Sequence, residues 1–300
     1  MNYLKPLIEA ELAEPVEPRV AAFAAAIATQ YGDASRAVLF YGSCLRTTEL
    51  EGQMLDFYLI VSSYEAAYGK SWLVRANKLL PPNVFPAEHD GLVAKIAVLS
   101  EEDFHKLNRP EASAVSVWAR FSQPSRLVWC AGAAAQEKVV TAIACAPVTL
   151  FELALPVLGT QPQTPMHIWH RGFELTYGAE LRAERGNRPG SVVDADPERY
   201  QSFGLATMAT IQDQDPSEAL DLSFHDAQKR WKTLRRNGKI LTLARLAKAS
   251  GTYAGGIDYL AWKINRHAGT DYEIKPWQRK WPILGALTML PRLIAGGAIK

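Results

Sequence analysis

The sequence predicts an α/β (α+β) fold: a sheet with flanking helices, then a mostly helical second part, then an amphipathic tail. Three observations predict it. Strand-like apolar runs alternate with helical periodicity up to about residue 140. From Pro147 to about Lys263 helical spacing dominates and strand signal fades. The last stretch is basic and aromatic and leads into a short apolar run. The expected regions are therefore 1–145, 146–268 and 269–300.

Residues 16–30 place Val20, Phe23, Ala24 and Ile27 at helical spacing, and Tyr31-Gly32-Asp33 ends the helix. Val38-Leu39-Phe40-Tyr41 reads as a buried strand running into a Gly42-Ser43 turn, and residues 54–61 read as the next strand. Residues 64–80 read as one helix stopped by Pro81-Pro82. Residues 91–99 form a strand with one charge, Lys95, and Ser100-Glu101-Glu102-Asp103 reads as an N-cap followed by acids in the first turn. Residues 126–130 read as the last strand, while 173–184 and 224–235 read as helices.

Composition narrows the function classes. The chain has 300 residues, 48% of them apolar, enough for a substantial core. A formal net charge of +2 argues against a strong binder of nucleic acid. Three cysteines without CxxC spacing argue for a reducing compartment and against a disulfide frame or zinc site. The first residues meet Glu9, Glu11 and Glu14 early, unlike a signal or transit peptide. No uninterrupted apolar run is long enough to read as a membrane span.

The candidate chemistry sits on the first two strands. Gly42 lets the backbone approach an anion without an intervening Cβ. Ser43 offers a hydroxyl and a backbone N–H at the start of the next element. Asp56 is a hard oxygen ligand suited to Mg2+, which usually meets phosphates through only one or two carboxylates. Gly-Ser, a spacer and an acid on the next strand resemble the nucleotidyltransferase superfamily, whose Asp-x-Asp is here Asp56-Phe57-Tyr58, so a second carboxylate is missing or comes from elsewhere. Glu88 and Asp90 are either that ligand or loop residues.

A narrower resemblance follows from motifs in order along the chain. Tyr41-Gly42-Ser43, Asp56-Phe57-Tyr58-Leu59, Lys95-Ile96-Ala97-Val98-Leu99-Ser100, Thr176-Tyr177-Gly178-Ala179-Glu180-Leu181-Arg182 and the Gly-containing stretch 252–264 are similar to those of the Tam41-type phosphatidate cytidylyltransferases, the mitochondrial CDP-diacylglycerol synthases and their bacterial relatives. The family's Trp-His…Asn segment is reduced to Trp72 and Asn77. The resemblance implies a nucleotidyltransferase-type sheet with a helical substrate domain, and CTP and phosphatidate as substrates. It implies that Tyr41, Gly42 and Ser43 cradle the triphosphate, Asp56 holds Mg2+, and Ser43, Asp56 and Lys95 carry the chemistry. Lys95 otherwise reads as a salt-bridge partner of Asp56 or as an edge residue.

Glu180 and Arg182 lie two apart, so one can reach a nucleotide while the other is solvated. His167 and His170 have helical spacing but no evident third metal ligand. The run Arg230, Lys232, Arg235, Arg236, Lys239 is either a solvated face or, with the 275–280 segment, a surface for anionic lipid. The expected place is the cytoplasmic face of a bacterial-type inner membrane, with the tail on an anionic bilayer or packed back on the core. Two alternatives remain: transfer to a small polar acceptor, or a non-catalytic relative that binds lipid or RNA.

Overall fold

The computed structural model describes residues 3–47, 50–159, 161–180, 191–215, 220, 222–252, 261, 265, 272–280, 285 and 288. Five strands, β1 (Ser35–Tyr41), β2 (Met54–Val61), β3 (Asn83–His89), β4 (Leu92–Ser100) and β5 (Ser125–Cys130), form one sheet in the order β3-β4-β2-β1-β5. β2 and β4 run parallel, and the other neighbours run antiparallel, so the sheet is mixed. Helices flank it, and a helical part follows.

Side chains alternate along each strand, which gives the sheet two apolar faces. Val38, Phe40, Leu55, Phe57 and Leu59 face one cluster, covered by Val20, Phe23 and Ile27 of α2 (Pro18–Tyr31). Leu39, Tyr58, Ile60, Ala97 and Leu99 face the other. Preceding α2 is α1 (Lys5–Leu12), which the sequence did not reveal. Between the strands lie α3 (Ser43–Thr47), α4 (Tyr64–Ala67), α5 (Ser71–Leu79), α6 (Glu101–Leu107) and α7 (Trp118–Phe121).

Several expectations change. The helix expected over 64–80 is broken into α4 and α5, each with its own N-cap: Ser63 accepts from the Ala66 N–H at the start of α4. β3 is an additional strand, and Pro86 is tolerated because β3 is the sheet edge, where a missing N–H costs no ladder bond. Asp90 and Gly91 both have positive φ (47° and 73°), the requirement of a two-residue hairpin turn between β3 and β4. Ser100 caps α6 as expected, accepting from the Asp103 N–H at 3.1 Å.

Helix α8 (Ala133–Ala154) is the centre of the second apolar cluster, packing on α1, α6, α7, β1 and β5. It also packs on α9 (Pro165–Tyr177) and α11 (Pro197–Gln212), which are separated by α10 (Ser191–Asp194). The expected division after residue 145 falls inside this unbroken helix, and one core cluster draws residues from both sides of it. Together with the turn after it (Ala133–Val157), α8 is long and apolar enough to cross a membrane, a run the sequence reading missed; most of it is buried inside the fold, as in a core helix.

The helix expected over 173–184 begins earlier, at Pro165, and ends at Tyr177. The helix expected over 224–235 is α12 (Phe224–Thr252), 29 residues long. It lies against β3, and the Trp231 indole N–H donates to the Leu153 carbonyl at 2.8 Å. The short α13 (Pro276–Lys280) follows α12. Most of the 252–264 motif and of the expected tail lies outside the described residues, as does Arg182.

Candidate active site

Strand register builds the site. Tyr41 pairs with Asp56, Asp56 with Lys95, Lys95 with Pro86, and Tyr41 on its other side with Ser125. These residues form one row across all five strands, and directly opposed residues share a face. The row lies on the α8 side of the sheet, since Tyr58 and Leu39, two positions along, belong to that core.

Tyr41 ends β1, Gly42 turns the chain with φ 95°, and Ser43 opens α3 with its side chain exposed. The turn folds back on Asp56. A Cβ built on Gly42 would stand 3.0 Å from Asp56 Oδ2, so the carboxylate occupies the space that glycine leaves. The expected neighbours Tyr41, Gly42, Asp56 and Lys95 are therefore adjacent. Lys95 forms no ion pair among the described residues, so the alternative reading of it as a salt-bridge partner of Asp56 gains no support there.

Three residues that sequence reasoning did not single out complete the surroundings. Arg120, from α7, pairs with Glu180 at 3.3 Å and donates to the Ser116 carbonyl. Arg245, from α12, donates to Ser116 Oγ and to the Pro81 carbonyl, both at 3.0 Å. Lys248, one turn further on, donates to the carbonyls of Leu80 and, at 2.7 Å, Pro82. Glu180 itself sits in the turn after α9, its side chain 12% exposed. A usable signal lay in the α12 sequence, where Arg245 and Lys248 share a helix face.

The electrostatics follow from burial. Burial raises the Tyr41 hydroxyl well above its usual range, helped by the Asp56 charge and opposed by Arg120. Tyr58 is raised for the same leading reason, with Arg120 and Arg245 opposing. Both phenols stay protonated. Burial disfavours the Arg120 charge, but Glu180, Tyr58, Tyr41 and Asp56 outweigh it and raise its pKa. Burial lowers Arg245, and burial plus the Arg245 charge push Lys248 down to about 7.

The other candidates stand apart. Glu88 is exposed on edge strand β3, two strands and one residue pair from Asp56, or about 12 Å by strand spacing. Asp90 is in the hairpin turn. Among the described residues no three His, Cys, Asp or Glu side chains gather as a metal group. His167 is exposed, and His170 Nε2 lies 3.4 Å from Asp194. In the basic run, Arg230 donates to the carbonyls of Pro110 and Ala112, while Lys232, Arg235, Arg236 and Lys239 are exposed.

The arrangement can hold a polyanion. One sheet carboxylate, that of Asp56, lies between a glycine turn and a lysine, and two arginines face the same side. No protein-family model matches the chain, and neither does any curated protein.

Proposed function

We propose that this protein is a Mg2+-dependent nucleotidyltransferase of the CTP:phosphatidate cytidylyltransferase type, acting at a membrane surface. The observation that carries this reading is the Asp56 carboxylate seated against the Gly42 backbone with Lys95 directly opposite on β4. The five-stranded mixed sheet with the glycine turn after β1 and the acid on β2 agrees with a nucleotidyltransferase-type fold.

Gly42, lacking a Cβ, leaves room for the Asp56 carboxylate against the turn. Ser43, exposed beside it, supplies a hydroxyl. Asp56 is the hard oxygen donor that would hold Mg2+, which when bound would supply charge neutralisation between the phosphates. Lys95 neutralises charge on the departing pyrophosphate as a point charge. The attacking phosphate oxygen is already ionised near neutral pH, so no general base is needed. A bond forms from that oxygen to the α-phosphorus, and the bond to the β-phosphate oxygen breaks. Positioning and charge neutralisation do the rest.

For the membrane, Trp277 is 44% exposed on the basic α13. The test is pyrophosphate release by the purified protein with CTP, Mg2+ and phosphatidate in detergent. Release that disappears in Asp56→Ala supports the reading. Release only with a different acceptor, or none, overturns it. Removal of residues 281–300 should weaken binding to anionic vesicles, and unchanged binding would end the tail's assignment.

A further inference from the structure

Arg245 and Lys248 lie three residues apart on α12, and both reach the segment between α5 and β3. All their hydrogen-bond partners are neutral: the carbonyls of Leu80, Pro81 and Pro82 and the hydroxyl of Ser116. Neither forms an ion pair among the described residues, yet both are partly buried. A cation taken from water and held only by carbonyls is left uncompensated.

Arg120 meets the same residue, Ser116, from the other side, and Glu180 is its ion-pair partner. Two cations thus bond Ser116, Lys248 lies one turn beyond Arg245, and among the described residues the single carboxylate bonded to any of the three is that of Glu180. Arg120 keeps 35% of its side chain exposed, so the cluster is open to a ligand on that side. The bonds to Ser116 and Pro81 fix the Arg245 guanidinium and leave its remaining N–H groups for an anion.

The geometry points to a phosphate-monoester site formed by Arg120, Arg245 and Lys248, beside the Asp56–Lys95 row and separate from it. A phosphate monoester meets hydrogen-bond donors from all three residues there, and two guanidinium forks match its tetrahedral oxygens. Because the site lies on the face that carries Asp56, it would hold the acceptor's phosphate during transfer. That last assignment rests on the nucleotidyl-transfer reading; the anion site does not. Free phosphate and a lipid headgroup share this chemistry.

A physical consequence separates a binding role from a structural one. Lys248 is partly neutral near pH 7.5, since burial and Arg245 depress it. A dianion beside it restores its charge, so binding takes up a proton.

The experiment is calorimetric titration of the full chain at pH 7.5, in buffers of different ionisation enthalpy, with inorganic phosphate, glycerol 3-phosphate and detergent-dispersed phosphatidate. Wild type should bind with proton uptake. Arg245→Gln should bind at least tenfold more weakly. Lys248→Met should bind more weakly and without proton uptake, with circular dichroism confirming that each variant folds. Equal affinity for inorganic phosphate and phosphatidate identifies a phosphate site, and tighter phosphatidate binding identifies a headgroup site. No saturable binding by wild type, or unchanged binding and proton uptake in both folded variants, overturns the proposal. The same titration on Asp56→Ala keeps the two readings apart: transfer should vanish there while phosphate binding remains.

Discussion

The carboxylate of Asp56 lies where a side chain on Gly42 would have to go: a Cβ there would stand 3.0 Å from Oδ2, on a backbone with φ 95°. The turn and the acid are therefore one unit, and each fixes the other. The glycine is required twice, once by conformation and once by the carboxylate.

Gly42→Ala should consequently lower transfer on the order of 100-fold, because the Cβ displaces the carboxylate from its place. The strained backbone should cost about 1–2 kcal/mol as well. Steady-state pyrophosphate release and urea unfolding measure the two effects. An alanine variant with unchanged rate would show that the Asp56 position is not set by this turn.

A second prediction concerns the join between the N-terminal helix and the helical part. Arg199 of α11 clasps Glu11 of α1 through both Nε and Nη2, the latter at 3.0 Å, with side chains only 8% and 11% exposed. The Arg199 guanidinium also lies 4.2 Å above the Phe203 ring. Removing one partner leaves a buried charge, so Glu11→Ala should cost about 3–5 kcal/mol in urea unfolding. The paired change Glu11→Leu with Arg199→Met should recover much of that loss.

How much of this was legible in the sequence depends on the range of the interaction. β1, β2, β4 and β5 were readable because their apolar runs are local signals, and the Asp56–Gly42 neighbourhood followed from two strands joined by a short connection. β3 was hidden by Pro86, which only the sheet order shows to be at an edge. The change from alternating strands to helical periodicity near Pro147 is legible, but it falls within α8, because one packed helix serves the sheet and the helical part alike. The meeting of Arg120 with Arg245 could not be found from spacing, although Arg245 and Lys248 share a helix face. The two arginines are 125 positions apart by residue number and meet only through Ser116. Glu180 was found, but through a motif and not through its partner.

Gly238 on α12 supplies a third prediction. A Cβ at this position would lie 2.1 Å from the Ala179 carbonyl oxygen, so the helix crosses the α9 turn in backbone contact. Backbone cannot yield as a flexible side chain can. Gly238→Ala should move α12 away from the turn, loosening Glu180 from Arg120 and drawing Arg245 off Ser116. Thermal unfolding should fall by about 1–3 kcal/mol, and phosphate affinity should fall with it. The exposed neighbour Lys239 is the control: Lys239→Ala should change neither.

The last prediction is a pH dependence. Glu152 of α8 is 8% exposed, and burial pushes its carboxyl up to about 7; Glu111 adds to the shift, while the Leu220 backbone N–H and Arg109 oppose it. Cys145, two turns earlier on the same helix face, feels Arg109 and Glu111 as well and is itself raised by burial. Since the folded state holds the Glu152 proton more tightly than the unfolded chain, this group's contribution is complete below pH 4.5 and is lost as pH rises through about 7. Glu152→Gln mimics the protonated form and cannot ionise. Above pH 8 the variant should be more stable than wild type by about 3 kcal/mol, and below pH 4.5 the two should converge. Urea unfolding from pH 4 to pH 9 measures the difference. Parallel curves across that range would mean that Glu152 ionises in the folded protein as readily as in the unfolded chain, through solvent reaching α8 between Glu111 and Leu220.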